Sequence, residues 1–273
     1  MAQYLSSNVN KVTTNTLQRM RNEGERIAMM TAYDYSIAKL LDIAKIDVIL
    51  VGDSAANVMD GYKTTLPITL DEMIYHASSV VRAVDHALVV VDLPFGTYQG
   101  NSKQALSSAI RIMKESGADA IKLEGGAEII ESVDRILSAG IPVMGHLGLT
   151  PQSINKFGTY AVRATTEEEA NLLMENAKLL ADHGCFGLVL EKIPAVLAKK
   201  VTEAIKIPTI GIGAGGSTSG QVLVFHDAMG ITQQFSPRFL RRYLNLSEEI
   251  VGAVQHYISD VKTNDFPNEN EQY

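Results

Sequence analysis

The stretch LVLEK, residues 188–192, sets three apolar residues with strand character directly against a carboxylate, Glu191. The same juncture recurs three times along the chain. Asp92 closes VVVD, Asp53 follows VILVG, and Glu124 ends AIKLE, whose apolar run is broken only by Lys122. Outward from LVLEK, similar runs rich in Val, Ile, Leu and Met appear: IAMMTA near 27, DVILVG near 47, ALVVVD near 87, DAIKLE near 119, IPVMGH near 141, FGLVLE near 186, IPTIGIG near 207 and QVLVFHD near 221. These runs lack polar alternation, so each reads as a strand covered on both faces.

Stretches of helical spacing lie between them. SKQALSSAIRIMKESG (102–117) predicts a helix with Ala105, Ile110 and Met113 inward and Gly117 as its stop. TEEEANLLMENAKLLADHG (166–184) predicts another, with acids in its first turn, Leu172, Leu173, Leu179 and Leu180 along one face, and Gly184 at its end. Eight strand-then-helix units make an α/β chain, a closed (β/α)8 TIM barrel with a short N-terminal helix; an open doubly wound sheet alternates similarly, but the strand count favours the barrel. Pro142 and Pro208 sit at strand starts, where no ladder donor is lost. Composition shows no internal break, so residues 1–273 read as one domain, with a helical segment over 1–24 (Val12, Leu17, Met20) and a polar tail over 262–273.

With 273 residues and 46% hydrophobic content the chain has the composition of a soluble globular protein. A net charge of −7 argues against partnership with nucleic acid or an anionic membrane, because both need clustered Lys and Arg. No apolar run approaches the roughly 18 residues of a membrane helix, and the start has no basic stretch leading into an apolar one. The lone Cys185 excludes an intrachain disulfide and reads as a small core residue. A cytoplasmic location is expected.

In a barrel the four acids stand at carboxyl ends of strands, the face where such folds place their chemistry. Asp53, Asp92 and Glu124 come from neighbouring strands two, three and four, and crowding three anions is costly without a cation. Hard oxygen ligands without paired His or Cys suit Mg²⁺, which takes one or two carboxylates directly. Each has a plainer reading, most clearly Asp53, which could cap a helix. Lys122 lies two residues before Glu124, on the same side of the strand, and reads as a binder of an anionic substrate or as a structural partner of Glu124. His146, ending strand five, is a backbone hydrogen-bonder or a catalytic group. Glu191, across the mouth and flanked by apolar residues, suits a general base acting on a carbon acid, or a salt bridge to Lys192 or a neighbouring Lys. GIGAGG (211–216) follows strand seven without an evident ribose-binding acid, so it reads as a close backbone approach rather than a dinucleotide site.

With VGDS, DLPFGTYQ, IKLEGG, GHLGLTPQS, LVLEKIP, GIGAG and GQVLVFHDAMGI in this order, the chain resembles the ketopantoate (3-methyl-2-oxobutanoate) hydroxymethyltransferase family over nearly its whole length. The resemblance implies a metal-dependent barrel enzyme that transfers a hydroxymethyl group from 5,10-methylenetetrahydrofolate to 3-methyl-2-oxobutanoate, through a Mg²⁺-stabilised enolate, as the committed step toward pantothenate. It implies one Mg²⁺ per subunit held by Asp53, Asp92 and Glu124, the oxo acid held by Asp53, Ser54, Asp92 and Lys122, with His146 hydrogen-bonding nearby, and Glu191 as proton acceptor. It also implies a cytoplasmic homo-oligomer, commonly a decamer. Departures from the family pattern are Ala55, Ala56 and Asn57 after the Asp-Ser pair, Arg163 and Ala164 for a Gln and a Gly, and Ser219 where an aspartate-bearing run is usual; they bear on folate contacts and loop geometry. The competing readings are a metal-dependent oxo-acid lyase or mutase, a Schiff-base aldolase using Lys122, and a non-catalytic barrel homologue.

Overall fold

The structure, a computed structural model, describes residues 11–273. The first ten residues of the expected N-terminal helical segment lie outside the described residues. The chain divides into two compact units, one ending at Val224 and the other spanning Phe225–Tyr273.

The first unit runs α1 (Thr14–Glu23), β1 (Ile27–Thr31), α2 (Tyr35–Ile43), β2 (Val48–Val51), α3 (Ala55–Val58), α4 (Leu70–Val81), β3 (Leu88–Asp92), α5 (Ser102–Ser116) and β4 (Ala120–Glu124). It continues with α6 (Ile130–Leu137), β5 (Val143–Gly148), α7 (Ile154–Phe157), α8 (Glu167–Asp182), β6 (Gly187–Glu191), α9 (Ala195–Ala204), β7 (Thr209–Ile212) and β8 (Gly220–Leu223). All eight strands pair in parallel, and β8 returns to β1 to close the barrel. This is the TIM barrel that the sequence pattern favours over an open sheet. One unit departs from it: residues 213–219, between β7 and β8, form no helix. The segment is AGGSTS after Gly213, with left-handed backbone at Gly213 and Gly215, and contains no run of helix formers.

Period two along the strands organises the barrel interior. Leu88 and Val90 of β3, Ala120 of β4, Met144 of β5 and Val189 of β6 join one apolar cluster with Val12, Leu17 and Met20 from and beside α1. The next positions on the same side of each strand are Asp92, Lys122 then Glu124, His146 and Glu191. One end of the interior is therefore an apolar plug and the other a charged floor. Fully burying a Val or Leu contributes roughly 1.5–3 kcal/mol, so the plug offsets the cost of desolvating the charges above it.

Helix faces differ in phase from the sequence reading. On α5 the buried residues are Ala105, Ser108, Ala109, Ile112 and Ser116, while Ile110 is exposed and Met113 half-buried. On α8 they are Leu173, Ala177 and Leu180, with Leu172 exposed and Leu179 half-buried. Adjacent residues of a helix point about 100° apart, so Leu172 and Leu173 cannot both face the strands. Gly117 caps α5 in the left-handed conformation as expected. Cys185 is buried, and burial pushes its thiol up to about 12.

In the second unit α10 (Phe225–Ala228) is followed by α11 (Leu246–Thr263), which extends into the stretch expected as a polar tail and stops at left-handed Asn264. No side chain of α11 is buried. Among the described residues no helix is long and apolar enough to cross a membrane.

Candidate active site

The strand ends bring Asp53, Asp92, Lys122, Glu124 and His146 together, each almost wholly buried, with Glu191 partly open to solvent at their edge. The Lys122 ammonium is 3.0 Å from Asp92 Oδ1 and 3.2 Å from His146 Nδ1. On its other sides the imidazole places Nδ1 3.4 Å from Glu124 Oε1 and Nε2 3.4 Å from Glu191 Oε2. Glu191 thus stands in contact with the cluster at His146 rather than apart from it, although His146 Nε2 makes no well-angled hydrogen bond. Lys122 pairs with Asp92, not with Glu124 as the structural alternative held, and His146 spends its ring on side chains instead of the backbone.

Asp53 follows β2 and does not cap α3. Ser54 occupies the cap position, and no side-chain cap bond forms there. The Asp53 amide instead donates to Asp92 Oδ2 at 3.0 Å, and its Oδ2 accepts from Gln152 Nε2 at 2.9 Å. Ser54 Oγ lies 2.8 Å from the Tyr33 hydroxyl. Nor does Glu191 pair with Lys192, whose ammonium donates to the Tyr160 carbonyl.

Gln152 and Tyr98 complete the floor, and neither is singled out by the sequence pattern. Gln152 donates from Nε2 to Asp53 Oδ2 and the Leu93 carbonyl, and from its backbone amide to Glu124 Oε2 at 2.9 Å. Its Oε1 accepts from the Tyr98 hydroxyl at 2.7 Å and from Gln99 Nε2 at 3.0 Å. Every donor and acceptor of that amide is used, which fixes its orientation. Tyr98 in turn accepts from the Glu124 amide at 3.1 Å. Both residues lie within the quoted stretches DLPFGTYQ and GHLGLTPQS, in the loops that follow β3 and β5.

Electrostatics assigns protonation states. Burial, then the charges of Asp92 and Glu124, pushes the Asp53 carboxyl well above its ordinary range. Burial raises Glu124 to about 7, against the lowering effect of Lys122. For Lys122, burial alone would favour the neutral amine, but Asp92, Glu124 and Asp53 outweigh it and hold the ammonium. His146 is pushed down by burial and then by Lys122, so the ring is neutral at pH 7. Because the ammonium has only donors, Nδ1 must accept from it, and the ring proton resides on Nε2, facing Glu191. Tyr160, on the segment beside Lys192, has its phenol raised by burial and then by Glu191 and Asp53.

Among the described residues no group of three or more His, Cys, Asp or Glu side chains stands at metal-holding spacing. Lys122 and Gln152 are interleaved with the three carboxyls and engage their oxygens. The donor set still fits a hard divalent cation. It consists of carboxylate oxygens, Asp92 Oδ1 accepts no well-angled hydrogen bond despite the ammonium nearby, and Asp53 is held above its usual range by burial and then by the negative charges of Asp92 and Glu124. Mg²⁺ needs only one or two such carboxylates directly.

The rim depends on glycine. Gly148 pairs with Glu191 across β5 and β6 and has φ of 99°, and a Cβ there would stand 2.2 Å from the Glu191 carbonyl oxygen. Gly148→Ala is therefore expected to cost at least about 2 kcal/mol of stability and to displace Glu191, measurable as a lowered denaturation midpoint. Gly215 shows the close approach expected of GIGAGG, since a Cβ would meet that of Ala195 at 2.4 Å. The residues that depart from the family pattern lie outside the carboxyl cluster. Ala55 and Ala56 are buried, Asn57 donates to the Tyr62 carbonyl, Arg163 pairs with Glu169 and covers the Phe157 ring at 4.4 Å, Ala164 has φ of 54°, and Ser219 accepts from the Thr209 amide.

Comparison with known proteins adds the lineage. The family model described as ketopantoate hydroxymethyltransferase matches residues 11–269. The protein named 3-methyl-2-oxobutanoate hydroxymethyltransferase from Parabacteroides distasonis is 71% identical over 263 residues, covering 96% of each chain. Its namesake from Porphyromonas gingivalis is 67% identical over the full length of both. Among solved structures, a phosphonopyruvate hydrolase complex with oxalate and Mg²⁺ superposes with TM-score 0.61 at 12% identity, covering 95% of this chain and 93% of that one. A 2,3-dimethylmalate lyase of the PEP mutase/isocitrate lyase superfamily gives 0.58 at 14%, covering 93% and 89%. At such identity these two speak for the fold alone.

Proposed function

Because the chain belongs to the ketopantoate hydroxymethyltransferase family, we propose that it transfers a hydroxymethyl group from 5,10-methylenetetrahydrofolate to 3-methyl-2-oxobutanoate, giving 2-dehydropantoate for pantothenate synthesis. The observation that carries this reading is the linkage of Glu191, through His146, to a buried floor of three carboxyls and one ammonium. Lys122, with Asp53, Ser54 and Asp92, receives the oxo acid and meets its carboxylate. Asp53, Asp92 and Glu124 would hold one Mg²⁺ per subunit, which when bound supplies positive charge where the keto oxygen becomes negative. His146, as the Nε2–H tautomer, faces Glu191 Oε2 and leaves Oε1 to take the proton from C3. The C–H electron pair passes into the enolate, whose C3 forms a bond to the one-carbon unit as the two bonds from that carbon to the folate nitrogens break. Water supplies the oxygen of the hydroxymethyl group, and the proton taken by Glu191 together with one from water returns to the two nitrogens of the released tetrahydrofolate.

Lys122 does not suit the alternative Schiff-base role. An attacking amine must be neutral, and the carboxyls around Lys122 keep it charged. Borohydride with the oxo acid should leave Lys122 unlabelled. The transfer itself is tested by product formation from the oxo acid and Mg²⁺ with and without methylenetetrahydrofolate. Product only in its presence supports the transferase; cleavage or rearrangement of the oxo acid without it would favour a lyase or mutase, and no turnover a non-catalytic barrel.

Metal affinity should follow pH. Glu124 is protonated below about 7 and must lose that proton to act as a ligand. Calorimetric titration with Mg²⁺ is therefore expected to give tighter binding, with less proton release, at pH 8 than at pH 6.

We assign the protein to the cytoplasm as a homo-oligomer, its ligands small molecules rather than nucleic acid or membrane. The exposed apolar residues Ile250, Val251, Val254, Tyr257, Ile258 and Val261 of α11 support a second copy as the partner of that helix. Val254→Glu with Ile258→Glu is expected to lower the mass measured by light scattering.

A further inference from the structure

Each carboxyl of the floor has one oxygen held by an N–H and the other without a well-angled hydrogen bond. The Gln152 side chain donates to Asp53 Oδ2 at 2.9 Å, the Gln152 amide to Glu124 Oε2 at 2.9 Å, and the Asp53 amide to Asp92 Oδ2 at 3.0 Å. Among the described residues Asp53 Oδ1 accepts no hydrogen bond, Asp92 Oδ1 has only the Lys122 ammonium beside it, and Glu124 Oε1 stands 3.4 Å from His146 Nδ1. Two of the three holding bonds come from one residue. We propose that Gln152, kept in place by Tyr98, is a positioning residue that sets which oxygens of Asp53 and Glu124 are offered to the divalent cation, and through them the preference for Mg²⁺ over a larger ion. This rests on the metal-site reading above and adds to it a residue outside the proposed ligands.

The side-chain amide of Gln152 works in one orientation only. Turned over, its oxygen would face Asp53 Oδ2 and the Leu93 carbonyl while its NH2 faced Gln99 Nε2, setting acceptor against acceptor and donor against donor. Tyr98 fixes the same orientation from the other side. Its hydroxyl accepts from the Glu124 amide at 3.1 Å, and its one proton goes to Gln152 Oε1 at 2.7 Å, nearer than the Glu124 carbonyl at 3.1 Å. Tyr98 is itself immobilised, 1% exposed, with Ser132 Oγ donating to its carbonyl at 2.9 Å.

A tether between loops would not need this pattern. The bonds of Gln152 to Tyr98 and to the Leu93 carbonyl already join the loops after β3 and β5, whereas the other two reach charged oxygens. Removing such a partner from a metal-binding carboxylate typically costs roughly 10–100-fold in affinity or activity. The loss depends on the ion. Mg²⁺ demands near-ideal octahedral ligand positions at about 2.0–2.1 Å, while Ca²⁺ accepts flexible ones at about 2.3–2.6 Å. An Asp53 carboxyl released to swing therefore weakens Mg²⁺ more than Ca²⁺.

Calorimetric titrations of Gln152→Met with Mg²⁺ and with Ca²⁺, each in saturating 3-methyl-2-oxobutanoate, test this. Methionine has similar length without the amide and keeps the backbone bond to Glu124, so the change isolates the hold on Asp53. The Mg²⁺ Kd is expected to rise at least fivefold, and the ratio of the Ca²⁺ Kd to the Mg²⁺ Kd to fall at least threefold. Lost folding stability by itself moves neither quantity, and Ile112→Ala, a buried change on α5, is the control. Where Gln152→Met does not fold, Tyr98→Phe decides by the same two criteria, since it frees the Gln152 amide to turn. Both shifts together support the proposal. A smaller change in either, or the same shifts in Ile112→Ala, overturns it and leaves the metal-site reading standing. Wild-type protein that binds no Mg²⁺ at millimolar concentration overturns that reading and the proposal with it.

Discussion

Glu191→Gln is expected to slow proton removal from C3 of 3-methyl-2-oxobutanoate by roughly 10²–10⁴-fold, the usual contribution of a positioned general base, while oxo-acid binding stays close to wild type. Gln keeps the shape of the side chain and a carbonyl oxygen to face His146 Nε2, but its remaining group is a donor rather than a base. The variant also separates Glu191 from the buried carboxyls. It is partly solvent-exposed and 3.4 Å from the imidazole, so loss of its charge leaves Asp92, Lys122 and Glu124 in their contacts. Deuterium exchange followed by NMR reads the rate, and calorimetry reads the binding. A Gln variant that exchanges at the wild-type rate would remove Glu191 from the base role.

Lys122→Met should have the largest effect on stability. Lys122 is the one cation among three buried carboxyls, and removing one member of a buried pair typically costs about 3–5 kcal/mol because the other charge is left uncompensated. Methionine fills similar volume, so the loss is electrostatic rather than a cavity. It should depend on pH in a defined direction. Asp53 and Glu124 have folded-state values above their ordinary ones, so whatever stability their protonation brings is present at low pH and is lost as pH rises through about 7 for Glu124. The penalty of Lys122→Met in metal-free protein is therefore expected to be larger at pH 8 than at pH 5. Denaturant midpoints at the two pH values measure it, and a penalty independent of pH would contradict the charge assignment. The same variant also loses the donor that fixes the tautomer of His146.

The barrel was legible because most of its strands are apolar runs covered on both faces and separated by helical spacing, a pattern that survives without any tertiary information; β1 and β8 depart from it, with Ala28 and Gln221 exposed. Period two then carried the candidate site: once LVLEK, VVVD and AIKLE are strands, the position of each charge on the interior side follows from its distance to the apolar residues before it. Asp53 illustrates the limit. It stands beyond the end of β2, where no periodicity distinguishes a helix cap from a floor residue, and the bond from Gln152, 99 positions away, decided the matter. Gln152 and Tyr98 were not legible individually, since loop residues carry no repeating signal and their roles arise from contacts between β3, β4 and β5 loops. Helix phase failed where apolar residues outnumber buried positions. Leu172 and Ile110 face outward because burial is set by the neighbouring strand, not by hydrophobicity alone. The absent helix between β7 and β8 follows from a connection of glycine, serine and threonine too poor in helix formers to build one, which the count of eight units had passed over.

In the proposed reaction the buried carboxyls, with a divalent cation, make C3 of the oxo acid acidic enough for Glu191 to deprotonate. Solvent deuterium exchange into 3-methyl-2-oxobutanoate, followed by proton NMR without folate, measures that step alone. Exchange that requires Mg²⁺, stops on chelation and is lost in Glu191→Gln is the expected result. Exchange indifferent to the metal and to Glu191, or none at all in wild-type protein saturated with Mg²⁺ and oxo acid, would contradict it.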